Sequence, residues 1–66
     1  MTKLEMLQRA EVYTFELIHQ CERDNDNYKE MYNRDNPIKI KLLESYWSDI
    51  FDIWDEIREL EDKDNQ

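Results

Sequence analysis

The sequence predicts an all-α fold, an antiparallel hairpin of two long helices that pairs with a second copy into a four-helix bundle. Three observations carry this. The 66 residues contain no Gly and a single Pro, so the turns of a many-stranded β architecture lack their usual residues. Apolar residues recur at intervals of three and four along most of the chain, the helical period. One clear break interrupts that pattern, "NRDNP" at 33–37.

The first helix is expected over roughly residues 2–33. Leu4, Met6, Leu7, Ala10, Tyr13, Phe15, Leu17, Ile18 and Cys21 gather on one broad arc, leaving Val12 on the opposite side. Tyr28, Met31 and Tyr32 fall in phase with that arc, which favours one continuous helix. The run "RDNDN" at 23–27 argues the other way, because Asp and Asn prefer caps and turns. A break near residues 24–27 therefore stays open. At 33–37, Asn36 or Asp35 suits the cap of the next helix and Pro37 its first position. Asn33 or Asn36 can adopt the left-handed conformation that ends a helix without Gly.

The second helix is expected from 37 to about 62, with 63–66 a frayed tail of a single small domain. At about 100° per residue, its apolar positions form an arc roughly 180° wide. Leu43, Tyr46, Trp47, Ile50, Phe51, Ile53, Trp54, Ile57 and Leu60 make up the core or dimer face. A helix packed on one partner needs only about 100° of apolar stripe. Two such arcs cannot cover each other alone, and a second copy of the chain is the simplest cover.

Size points the same way. A domain this small buries only about 60% of its unfolded surface, and such scaffolds lean on disulfides, metals, oligomerisation or near-ideal packing. With one Cys and one His, a single chain can supply neither disulfide nor metal cage. The lone Cys21 suits a reducing compartment. No apolar run exceeds two residues, so a signal-peptide core and a membrane span are not expected. The chain reads as soluble and cytoplasmic, in a bacterial or host cell.

Charge is unevenly spread. Residues 1–48 carry nine acids and seven bases, whereas 49–66 carry eight acids and two bases, so most of the net charge of −8 sits in the last 18 residues. Asp49, Asp52, Glu56 and Glu59 form one stripe opposite the aromatic arc, with Asp55 and Asp62 at its border. Acid near a helix C-terminus opposes the macrodipole, and like charges three or four apart repel, so helix stability does not explain the stripe. Solubility is the plain explanation. The functional one is a row of carboxylates that meets a basic, nucleic-acid-binding surface of a partner protein. Direct nucleic-acid binding is not expected, because bases are few and Lys39 and Lys41 point to different helix faces.

Within the aromatic arc, Phe51, Trp54 and Ile57 stand at i, i+3 and i+6 among acids. Over those seven residues the segment resembles the acidic-aromatic docking segments of transcriptional activators, which implies a partner groove as the alternative to a core role.

Catalytic and cofactor signals are absent. Without Gly there is no phosphate-cradling loop or dinucleotide fingerprint. Glu16 and His19 have the Glu-x-x-His spacing of di-metal bundles, but both fall on the polar side of helix 1 and the further inward glutamates are missing. Cys21 lies about 200° from His19 around the helix and cannot be activated by it. No cofactor or metal is expected. The expected function is non-enzymatic protein–protein interaction by a small acidic inhibitor or regulator of the phage or mobile-element accessory type. An antitoxin or immunity protein is one alternative. A structural or assembly subunit working through the aromatic face is another.

Overall fold

The computed structural model describes residues 1–64, as two α-helices and the connection between them: α1 Lys3–Tyr32 and α2 Pro37–Asp64. They pack antiparallel into a rod of 53 × 18 × 13 Å. Residues 65–66 of the expected tail lie outside the described residues, and α2 remains helical through Asp64.

Each boundary has a local cause. Thr2 is extended and its Oγ1 accepts a hydrogen bond from the Glu5 N–H at 3.1 Å. That satisfies one of the first-turn donors that have no helical acceptor. Asn33 ends α1 in the left-handed conformation (φ 56°, ψ 34°), its N–H donating to the Lys29 carbonyl at 2.7 Å. Asn tolerates this conformation better than most residues and here replaces the missing Gly. Asn36 caps α2: its Oδ1 accepts from the N–H groups of Ile38 at 3.0 Å and Lys39 at 3.4 Å, with Pro37 at the first helical position. Asp35, the other candidate cap, is bonded elsewhere.

α1 does not break at 24–27. Two of the polar side chains that could compete for the local backbone, those of Asp24 and Asn25, are engaged elsewhere. Asn25 is buried, its Oδ1 accepting from the Asn36 N–H at 2.7 Å and its Nδ2 donating to Asp35 Oδ1 at 3.2 Å. Asp24 accepts from Gln20 Nε2 at 3.0 Å and faces Lys39 Nζ at 3.4 Å. Periodicity assigned these residues no such task.

The core is thin. Among the described apolar residues Ile18, Cys21 and Ile50 are buried, joined by the polar Thr14 and Asn25. Thr14 satisfies its hydroxyl by donating to the Ala10 carbonyl at 2.7 Å, and the Cys21 thiol donates to the Lys39 carbonyl at 3.3 Å. Much of the expected apolar arc of α1 lies outside this core: Met6, Tyr13, Met31 and Tyr32 are exposed. For Met31 and Tyr32 the reason is geometric. Asn25 already stands level with the start of α2, so the last turn of α1 overhangs its partner. Met6 and Tyr13 sit at the far edge of an arc wider than one neighbouring helix can cover.

Candidate functional site

The second helix splits into three faces. Towards α1 it presents Ile50, which is fully buried, with Leu43, Tyr46, Ile53, Ile57 and Leu60 half-buried around it.

The remaining three residues of the expected core face do not enter the interior. Trp47 is 38% exposed, Phe51 56% and Trp54 36%. They form an aromatic ridge along one flank of the hairpin, joined from α1 by Phe15. The Phe15 ring meets Trp47 edge-on with centroids 5.9 Å apart and Trp54 at 6.1 Å. Phe51 bridges the two indoles at 6.3 and 5.8 Å. These separations lie in the range where aromatic pairs attract beyond their buried area. Trp54 also donates from Nε1 to Glu11 Oε2 at 2.6 Å, so its polar edge is held while its face stays open. Phe51 and Trp54 of the activator-like triplet share this ridge, whereas Ile57 turns towards α1.

The third face is acidic. Asp49, Asp52, Asp55, Glu56, Glu59 and Asp62 are all exposed. Successive members of the stripe at 49, 52, 56 and 59 rise about 4.5 to 6 Å along the axis. The ion pair found among the described residues joins Lys39 to Asp24, so none of the six carboxylates is neutralised by one, even with Arg58 and Lys63 on the same helix. The stripe lies about 150° around α2 from the ridge.

Other candidates resolve into surface or packing. Glu16 and His19 are exposed on α1, and no cluster of metal-ligating side chains occurs among the described residues. A shallow open depression is lined by Glu5, Gln8, Arg9, Val12, Tyr13 and Glu16. All six come from the outer face of α1, so it has no second wall to enclose a ligand. No described helix is long and apolar enough to cross a membrane.

Three residues escaped the sequence reading. Thr14 and Asn25 are polar members of an apolar arc, and only their position at its centre could have marked them as buried. Glu11 sits in the same register beside Phe15, and its bond to Trp54 spans 43 residues.

The class defined by these features is a bare two-helix hairpin with an open aromatic flank and an uncompensated acidic stripe. No protein-family model, curated protein or solved structure matches the chain.

Proposed function

We propose that this is a non-enzymatic acidic protein that acts by protein–protein contact. Its α2 stripe covers a basic, nucleic-acid-binding surface of a partner, as small inhibitors and regulators of phages and mobile elements do. It works in the cytoplasm, as a homodimer of hairpins forming a four-helix bundle. The observation that carries the reading is the stripe itself, four carboxylates at 49, 52, 56 and 59, exposed and without an ion pair among the described residues. Its spacing of about 4.5 to 6 Å is wider than the roughly 3.4 Å between phosphates of one DNA strand. The likeness to nucleic acid is therefore one of sign and linear array rather than of register.

A second reading, a structural or assembly subunit, is favoured by the exposure of Trp47, Phe51 and Trp54. The two readings differ in which face a partner needs. The experiment is capture of partners on the immobilised protein beside the variant Asp49→Asn, Asp52→Asn, Glu56→Gln, Glu59→Gln. The expected result is a basic partner retained by the unmodified protein, displaced by duplex DNA and missing from the variant. Equal retention by both proteins, indifferent to DNA, overturns the acidic reading.

A further inference from the structure

The hairpin exposes more surface than its mass requires. Its accessible area is 5423 Å² for 8.3 kDa, whereas a compact folded monomer of that mass exposes about 4600 Å². The excess, roughly 800 Å², matches what one partner contributes to a standard stable interface. The aromatic ridge is the most concentrated apolar part of it. On the opposite flank Met6, Tyr13 and Leu42 are exposed, but no comparable ring cluster occurs there among the described residues.

Resting on the homodimer reading above, we infer that the second copy packs on this ridge, α2 against α2 and antiparallel. The two-fold axis passes at Phe51, and Glu44 of each chain pairs with Arg58 of the other. The charge pattern selects this arrangement. Glu44, Phe51 and Arg58 stand at intervals of seven, so they share one line on α2 with only about 20° of drift per heptad. Both charged residues are exposed, and neither enters an ion pair within the hairpin among the described residues.

An antiparallel two-fold at Phe51 brings the level of residue 44 to that of residue 58, so two opposite-charge pairs flank a central ring contact. Trp47 then comes within one residue, about 1.5 Å along the axis, of the level of Trp54 of the second copy, and the ridge closes on itself. A parallel pairing instead sets Glu44 on Glu44 and Arg58 on Arg58, which repels. In the antiparallel register the border acids Asp55 and Asp62 fall opposite Trp47 and Ile40 of the second copy, so no two acids face each other. The stripe at 49, 52, 56 and 59 stays outward, and the dimer displays it twice.

Sedimentation equilibrium of the full chain at micromolar concentration tests this. The unmodified protein is expected to be a dimer. Glu44→Arg and Arg58→Glu each place like charges opposite one another at two symmetric pairs and are expected to weaken the dimer roughly tenfold. The double variant with both changes restores opposite charges and is expected to regain dimer strength near the original. Phe51→Glu sets two acids on the axis and is expected to give a monomer whose helix content is retained, because Phe51 is 56% exposed in the hairpin. A dimer that ignores the single swaps, or a double variant that stays weak, overturns this interface while leaving the homodimer reading standing. An unmodified protein that sediments as a monomer overturns both.

Discussion

Asn25 shows how one side chain can hold a two-helix chain together. It is 8% exposed, and through its amide the loop backbone at Asn36 and the carboxylate of Asp35 are tied to α1. Asn25→Ala removes both partners and leaves the Asn36 N–H in a confined site. The expected loss is about 1–3 kcal/mol, read as a lower urea midpoint. Ile50 does the corresponding apolar work at the middle of the rod, with no exposed area. Ile50→Ala is expected to cost about 2–5 kcal/mol, a large part of the total for a domain of this size. The two residues differ in how they could be foreseen. Ile50 lies at the centre of a helical apolar stripe and is legible from spacing alone. Asn25 sits at an equivalent position on α1, but its role depends on two atoms 10 and 11 residues away, and periodicity holds no information about them.

For the helices themselves, the sequence was nearly sufficient. The single Pro, the Asn residues around it and the phase of the apolar positions placed the connection where it occurs, between Tyr32 and Pro37. The caps follow from the same residues: Asn33→Ala forces a side chain without a compensating local hydrogen bond into the left-handed region. It is expected to destabilise the hairpin by about 1 kcal/mol, and Asn33→Gly to be neutral or stabilising, both measurable by thermal denaturation. The run at 23–27 was the ambiguous element, since intrinsic preference and phase disagreed. Phase prevailed because tertiary partners occupied Asp24 and Asn25. α2 carries the opposite tension, with acids at 49, 52, 56 and 59 spaced three and four apart, where like charges repel. Neutralising Asp49, Asp52, Glu56 and Glu59 is therefore expected to raise the melting temperature, which a thermal scan of the four-site variant reads directly.

At the scale of the molecule, two helices side by side make a rod 13 Å thick, with room for only a narrow buried seam around Ile18 and Ile50. The breadth of the apolar arcs already implied uncovered surface. Spacing alone could not show which residues would remain outside. The division of one arc into a buried seam at Ile50 and an open ridge at Trp47, Phe51 and Trp54 depends on where α1 lies, and on Phe15 and Glu11 holding the indoles in place. The acidic stripe was legible residue by residue, because exposed positions opposite a core face follow from the helical period. Its proposed use rests on charge, so ionic strength probes it directly. The measurement is the affinity of the captured partner for the immobilised protein across a series of salt concentrations, beside the four-site variant. Affinity is expected to fall steeply as salt rises, and the variant to bind weakly with a much flatter dependence. Equal affinity for both proteins, unchanged by salt, would contradict the proposed use.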